Sequence, residues 1–405
     1  MLESERMETM NMTKSSQIME ILERETGGKS YKSHKYNLDD SERSAVEYGE
    51  AGSSMQWKRR GETKEYRTYV SLEHLSKDVG NYQQLLTYFL DGSRHVYKVD
   101  DMGFEKSGNR MVIYPIIAGQ IGVGCCKRVN KKLKCEKFER EIVIAMPDIA
   151  QSSSKKQGFL TATAQKLNDR TQLTRIRSSG WKFSTILSYD SSKDAKTYND
   201  KGTAQIQARM MTNEQKMVAE LVTEKKLNDE NYLVKDGSLE YKPSKDMRAN
   251  TREYQKFKNN YDYVIGVSKR FNPEVCLILG DKPNPGFIAE LPLYHRTPVA
   301  YFTNPEMLGD IGFAVWYIRI RDNSRTRTQF DGIIKVEKML VSNEEVNNGM
   351  SSALVDEISA HLINERNPVC YGADMRWANH LYPVYLTERY IKSHYLSNES
   401  FLHLF

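Results

Sequence analysis

Two copies of the tripeptide Asp-Gly-Ser constrain this chain more than any other feature of its sequence. The first copy, Asp91–Ser93, follows the apolar run Leu85–Leu90, and the second, Asp236–Ser238, follows Tyr232–Lys235. In both copies a run typical of a β-strand ends in a carboxylate, and the glycine then permits a sharp turn or a close backbone approach. Asp-Gly is also a common turn dipeptide. Two aspartates at strand ends are nonetheless held on rigid elements, which favours a divalent cation site between them.

The sequence around the first copy predicts an antiparallel meander. The run Leu85–Leu90 has no polar alternation, which is typical of a strand that is buried on both faces. Further apolar runs predict strands over residues 95–99, 110–123 and 139–146, with a lysine-rich hairpin tip at 127–134. Apolar positions near the 3.6-residue period then predict a helix over Ala208–Lys226, with Thr212 as its N-cap.

The rest of the chain alternates between strand and helix patterns. Strands are predicted over 263–269, 275–279, 300–302, 312–320 and 332–337, helices over 252–260, 350–363 and 383–394, and a turn over 283–286. This order predicts an α/β protein with a mixed β-sheet flanked by helices. Residues 1–80 are expected to form a polar N-terminal arm with one short helix at 16–24 and a loop over 29–66. One domain is expected over 81–405, with a helical insertion at about 150–205.

Composition excludes few function classes. The net charge of +6 arises from 59 basic and 53 acidic residues, which is compatible with a polyanionic partner but does not argue for one. Five cysteines without a Cys-x-x-Cys pair fit a reducing compartment, and the adjacent Cys125 and Cys126 are poorly placed to chelate one zinc ion. No secretory signal or membrane-spanning stretch is visible. We therefore expect a cytoplasmic protein without membrane contact.

Three carboxylates carry the chemistry that the sequence suggests. Phosphodiester hydrolysis requires an activated water and stabilisation of the leaving oxygen, which two metal ions with hard oxygen ligands provide. Asp91, Asp236 and an acidic residue of the predicted helix supply such ligands. Glu214 and Glu220 are the two candidates, and the six-residue spacing places them on different sides of the helix. Lys269, which follows a buried strand, is suited to hold a phosphate.

At this point the order of motifs resembles one family. Met211–Leu239 resembles the core signature of the NurA family of DNA-end-processing nucleases, an acidic helix followed by a strand that ends in Asp-Gly-Ser-Leu. The family also has an earlier Asp-Gly-Ser, matched by Asp91–Ser93, and a strand ending in Ser-Lys, matched by Ser268 and Lys269. Its C-terminal Tyr-Pro-x-x-Leu is matched by Tyr382–Leu386.

The resemblance implies a ribonuclease-H-like fold and DNA cleavage that depends on Mn²⁺ or Mg²⁺, with two ions bound by Asp91, Glu214 and Asp236. It also implies a homodimer that works with a hexameric HerA-type ATPase, as a 5′–3′ exonuclease or single-strand endonuclease, in DNA repair or anti-phage defence. In the family a Tyr and a His eight residues later complete the site. Tyr382 matches the Tyr, but Tyr390 stands where the His is expected. His394 lies one helical turn further, on the same face.

Three functions therefore remain open from the sequence. The first is a metal-dependent DNA nuclease, catalytic through Asp91, Glu214, Asp236, Lys269, Tyr382 and His394. The second is a catalytically weak or inactive DNA-binding or adaptor subunit of the same complex, which the departure at Tyr390 motivates. The third is an unrelated hydrolase that uses its two aspartates as general acid and base on a sugar or an ester. No P-loop is present in the sequence, so any energy for translocation must come from another chain.

Overall fold

The centre of the fold is a large mixed β-sheet with helices on both faces. The computed structural model describes residues 17–30, 35–39, 56–79, 84–106, 110–152, 158–169, 174–193, 195–239, 251–273, 284–303, 311–326, 328–368 and 376–405. In these ranges the strands are β1 Lys29–Ser30, β2 Tyr36–Asn37, β3 Gln56–Arg60, β4 Val70–Ser71, β5 Leu86–Lys106, β6 Arg110–Val129, β7 Lys132–Pro147, β8 Phe183–Tyr189, β9 Tyr232–Asp236, β10 Val264–Ser268, β11 His295–Arg296, β12 Ala300–Thr303, β13 Gly312–Arg319 and β14 Ile333–Met339.

The helices of the described ranges alternate with these strands. They are α1 Gln17–Thr26, α2 Glu73–Asp78, α3 Ile149–Ser152, α4 Phe159–Asp169, α5 Thr174–Ser178, α6 Tyr198–Thr223, α7 Arg252–Asn259, α8 Pro285–Ala289, α9 Asn343–Asn348, α10 Ser352–Asn364, α11 Tyr382–Ser393 and α12 Asn398–Leu402. Short 3₁₀ turns lie at Asn323–Arg325 and Trp377–Asn379. In this part of the chain no helix has both the length and the apolar character that crossing a membrane requires.

The main path of the sheet has the order β3-β12-β13-β14-β10-β9-β5-β6-β7-β8. Strands β5, β6 and β7 form the predicted antiparallel meander, and the predicted lysine-rich hairpin tip joins β6 to β7. Strand β9 pairs in parallel with both β5 and β10. The predicted mixed-sheet α/β class is therefore confirmed, and three parallel strands lie at its centre.

Helices α6 and α11 cover opposite faces of the meander. A methyl group added at Gly119 would lie 3.1 Å from Cγ2 of Ile206 in α6, whereas one added at Gly122 would lie 2.5 Å from Cγ2 of Ile391 in α11. Successive strand residues point to opposite faces, so two positions three apart belong to different faces. We call these the α6 face and the α11 face of the sheet. The glycines of β6 let both helices approach the backbone closely.

Several predictions about individual elements are wrong. Strand β5 continues through the first Asp-Gly-Ser to Lys106, because Asp91–Ser93 pairs without interruption with Gly122–Gly124 of β6. Helix α6 begins at Tyr198, since Thr197 forms a capping box with Asp200, and Thr212 lies within the helix. Its hydroxyl donates to the carbonyl of Ala208.

Six strands were not predicted: β1, β2, β4 and β11 are two-residue strands off the main path of the sheet, whereas β3 and β8 lie on that path. Strand β8 lies within the polar stretch 150–205 and pairs in parallel with β7. Strand β3 lies within the predicted loop 29–66 and pairs with β12. The predicted turn at 283–286 leads into a short helix, because Pro285 occupies its first turn. The strand predicted over 275–279 lies outside the described residues.

Candidate active site

Three predicted site residues meet where the parallel strands β9 and β10 end beside β5. Lys235 is paired with Leu90, so Asp236 at the end of β9 lies next to Asp91. Asp236 is also paired with Val267 of β10, which brings Lys269 close. The Lys269 Nζ lies 2.8 Å from Oδ2 of Asp236. The parallel pairing thus assembles residues that are far apart in the sequence.

Helix α11 adds a fourth residue, Glu388, which the sequence analysis missed. Its Oε2 lies 4.0 Å from Lys269 Nζ, and its Oε1 accepts a hydrogen bond of 2.6 Å from Lys392. Burial alone would raise the pKa of Glu388, but the charges of Lys269 and Lys392 outweigh it and lower the pKa to about 2. The available signal was its position beside Thr387 and Ile391, which form the buried stripe of an amphipathic helix.

Asp91 is the electrostatically unusual member of this group. It is only 4% exposed, and within the described residues no hydrogen-bond donor or cation contacts its carboxylate directly. Burial, followed by the negative charges of Asp236 and Glu388, raises the pKa of Asp91 well above its ordinary value, although Lys269 opposes the shift. A largely buried carboxylate beside other negative charges is costly to ionise, so this position favours a bound cation or proton.

Glu214 reaches the centre from the other face of the sheet. A methyl group added at Gly92 would lie 2.2 Å from its Oε1, so Gly92 faces Glu214 and α6. Asp91 precedes Gly92 in β5 and therefore points to the opposite face of the sheet, the α11 face. The Oε2 of Glu214 instead pairs with Lys235 Nζ at 3.1 Å. Burial raises the pKa of Glu214 although the charge of Lys235 opposes the shift.

The second Asp-Gly-Ser is the turn that the sequence predicts. Gly237 has φ of 85°, a left-handed conformation that favours glycine, and its N–H donates to the carbonyl of Val267. The buried carboxylate of Glu337 accepts hydrogen bonds from the Ser238 hydroxyl at 2.8 Å and from the Leu239 N–H at 2.9 Å. Glu337 also forms an ion pair with Lys335. These contacts fix the backbone that follows Asp236.

The remaining predicted residues lie elsewhere. Glu220 is partly exposed on α6 and pairs with Lys137 at 3.0 Å. Tyr382, 41% exposed, is the first residue of α11. Tyr390 and His394 pack their rings against Phe138, and His394 Nδ1 lies 2.8 Å from the carbonyl of Tyr390. No described hydrogen bond or ion pair joins these residues to Asp91. The structure brings together Asp91, Asp236 and Lys269, and Glu388 joins them.

The carboxylates on the α11 face can be compared with the ligands that a divalent metal ion requires. No three His, Cys, Asp or Glu side chains in the described residues converge in a ready-made metal-binding arrangement. The Lys269 ammonium lies instead between Asp236 and Glu388. However, Asp91, Asp236 and Glu388 are hard oxygen donors of the kind that Mg²⁺ and Mn²⁺ take, and Asp91 lacks a counter-charge. The donor set therefore fits a divalent ion, provided that Lys269 moves aside.

Comparisons with known proteins give one point of reference. No protein-family model matches the sequence, and no curated protein matches it. The structure is similar to the crystal structure of the NurA nuclease from Sulfolobus solfataricus, with a TM-score of 0.41 and 12% sequence identity. The similarity covers 82% of this chain and 88% of that chain.

Proposed function

We propose that the protein is a metal-dependent deoxyribonuclease whose catalytic centre lies on the α11 face of the sheet. The observation that carries the proposal is the buried carboxylate of Asp91, which faces Asp236 and Glu388 and lacks a direct counter-charge. A buried carboxylate whose pKa is raised by neighbouring negative charges is typical of functional sites, because it destabilises the fold unless a ligand compensates it. A divalent cation is the ligand that such oxygen donors select.

The residues of the chain have distinct roles in this proposal. Asp91, Asp236 and Glu388 would hold Mn²⁺ or Mg²⁺, which when bound polarises a phosphoryl oxygen and lowers the pKa of a water. Lys269 is protonated, since Asp236, Glu388 and Asp91 raise its pKa above the ordinary value although burial opposes them. Released from Asp236, its ammonium binds the scissile phosphate and offsets charge on the leaving oxygen.

The hairpin between β6 and β7 supplies a surface suited to a nucleic-acid backbone. Lys131, Lys132 and Lys134 are exposed at its tip, and Asn130 and Lys131 form its left-handed turn. Gly124 is paired with Asp91, and Lys131 follows seven residues later, which places the tip about 23 Å along the strand direction from the site. That distance is about two-thirds of a turn of B-DNA. Phosphate contacts along this path would position DNA without reading its sequence.

The sequence motifs extend the proposal beyond the site. On their resemblance to the NurA family, we propose that the chain acts as a homodimer with a hexameric HerA-type ATPase. It would degrade ends as a 5′–3′ exonuclease or cut single strands as an endonuclease, in DNA repair or in defence against phage.

Cleavage assays with matched variants test the proposal. End-labelled single-stranded and double-stranded DNA would be incubated with Mn²⁺, with Mg²⁺ or with EDTA. We expect Asp91→Asn, Asp236→Asn and Glu388→Gln each to reduce cleavage at least about 100-fold, since each removes a carboxylate that would hold the metal ion. Glu220→Gln is the control, because it makes the same change at a partly exposed position of α6. Cleavage that persists in EDTA would refute the metal and favour general acid–base hydrolysis.

One observation favours a second function, the inactive DNA-binding subunit. Lys235 and Lys269 already neutralise Glu214 and Asp236, and no three ligands converge in the described residues. A site closed by internal lysines would keep the fold without cleaving DNA. In that case the wild type would bind DNA but would not cut it with Mn²⁺ or Mg²⁺, either alone or with the ATPase. The same assays therefore separate the two functions.

A further inference from the structure

Lys235 occupies a position on the α6 face that resembles a cation site. Its Nζ lies 3.1 Å from Oε2 of Glu214, and donates hydrogen bonds of 2.7 Å to the carbonyl of Asp236 and 3.3 Å to the carbonyl of Ser238. The residue is 4% exposed. One carboxylate and two backbone carbonyls around a buried positive charge are the ligand types that a hard divalent cation takes.

The sheet keeps this lysine apart from Asp91. Lys235 and Asp236 are consecutive residues of β9, so their side chains leave the strand on opposite faces. Asp91 and Gly92 are likewise consecutive residues of β5. Gly92 faces Glu214, so Asp91 points to the face away from Glu214. The sheet thus has two separate positions for a cation, one on each face. The ammonium of Lys235 occupies the position on the α6 face, and the carboxylate of Asp91 marks the position on the α11 face.

We propose that Lys235 is a built-in cation that replaces one of the two metal ions, so that the centre binds a single divalent ion beside Asp91. The inference rests on the proposed function and specifies its metal requirement. Glu214 would then serve as the counter-ion of Lys235 rather than as a metal ligand.

The charge balance of the buried centre agrees with one ion. Asp91, Glu214, Asp236 and Glu388 carry four negative charges, and Lys235 and Lys269 carry two positive ones. One divalent ion makes the group neutral, whereas two would leave an excess of two positive charges. Uncompensated charge is costly in a buried site. A single ion also leaves the mobile ammonium of Lys269 as the second electrophile at the phosphate.

Counting bound Mn²⁺ tests the inference without any activity measurement. Calorimetric titration of the metal-free full-length chain, checked by electron paramagnetic resonance of free Mn²⁺, should give one ion per chain. Glu214→Gln should keep one ion and lower the affinity less than Asp91→Asn, which should lower it at least tenfold. Lys235→Met should raise the number of ions to two, because it frees Glu214 and the two carbonyls. Lys216→Met, which removes an exposed lysine of α6, is the control.

Each outcome is decisive. Two ions on the wild type, or a loss of affinity in Glu214→Gln as large as that in Asp91→Asn, would overturn the inference while the proposed nuclease would stand. Failure of folded Lys235→Met to bind a second ion would overturn it as well. If Lys235→Met does not fold, the wild-type count and Glu214→Gln still decide. Absence of any bound ion on the wild type would instead overturn the proposed function.

Discussion

Replacing Asp91 by asparagine should stabilise the metal-free protein while abolishing its response to metal. The carboxylate is buried, lacks a direct partner, and is repelled by Asp236 and Glu388. An amide of the same shape carries no charge and can donate to either neighbouring carboxylate. Holding a charge at a largely buried position beside like charges costs on the order of 1–3 kcal/mol. We therefore expect Asp91→Asn to raise the free energy of unfolding in EDTA by about 1–3 kcal/mol at pH 7.5.

The expected change in melting temperature is small but measurable. An unfolding entropy of about 2.1 cal/mol/K per residue, over a chain of 405 residues, gives about 0.85 kcal/mol/K. The variant should therefore melt about 1–4 °C higher than the wild type in EDTA, provided that the chain unfolds in one transition. Scanning calorimetry measures the shift. Saturating Mn²⁺ should then raise the wild-type melting temperature, through preferential binding to the folded state, and leave that of the variant nearly unchanged.

The raised pKa of Asp91 also predicts how the stability of the metal-free protein depends on pH. The folded-state pKa of Asp91 is above its ordinary value of 3.8, so the folded state binds more protons than the unfolded state between the two values. This contribution to stability therefore falls as pH rises through that window, and the penalty stays constant above it. Asp91→Asn should remove the slope. Glu141→Gln is the contrasting control, since Glu141 is a buried carboxylate paired with Arg209 and its loss should destabilise the fold. A destabilised Asp91→Asn in EDTA would refute the reasoning.

Three further predictions concern the surroundings of the site. Gly92→Ala should destabilise the fold by about 1–3 kcal/mol in chemical denaturation, because its methyl group would overlap Glu214. In a Glu214→Ala background the same substitution should cost much less, and an equal cost in both backgrounds would contradict the contact. Glu388 has a folded pKa of about 2 against an ordinary 4.5, so its stabilising contribution is present above pH 4.5 and is lost as pH falls towards 2. Urea titrations of Glu388→Gln and wild type should therefore converge over that window, and a constant difference would contradict the assignment. Replacing Lys131, Lys132 and Lys134 with glutamine should weaken DNA binding. The slope of the logarithm of the binding constant against the logarithm of the salt concentration should fall in magnitude by about 2–3, and an unchanged slope would show that the hairpin does not bind DNA.

The strands and the aspartates at the centre could be predicted because their signals are local. Val264–Ser268 and Gly312–Arg319 are apolar runs that are buried along their whole length, and the structure confirms both as strands. The glycine after Asp236 takes the left-handed conformation that an Asp-Gly turn predicts. These features depend on a few consecutive residues. A single sequence therefore contains the information that they require.

The missed features depend on packing between distant segments. Gly92 looks like a turn residue, but it lies in a strand because it pairs with Val123 of β6, and Glu214 of α6 lies against it. Glu388 joins the site because Ile391 of the same helix packs on Gly122 and Gly124, about 270 residues earlier in the chain. Asp91 and Glu214 lie on different faces because Glu214 packs against Gly92, whose neighbour Asp91 points to the other side of β5. No local pattern encodes such contacts.

The central claim, a divalent ion bound by Asp91 on the α11 face, is tested most directly by anomalous diffraction at the manganese edge. Crystals of the full chain would be soaked in Mn²⁺. We predict one anomalous peak per chain, within about 2.0–2.6 Å of carboxylate oxygens of Asp91, Asp236 and Glu388, with Lys269 moved off Asp236 and Lys235 still on Glu214. A peak bound by Glu214, or no peak with both lysines still on their carboxylates, would contradict the account.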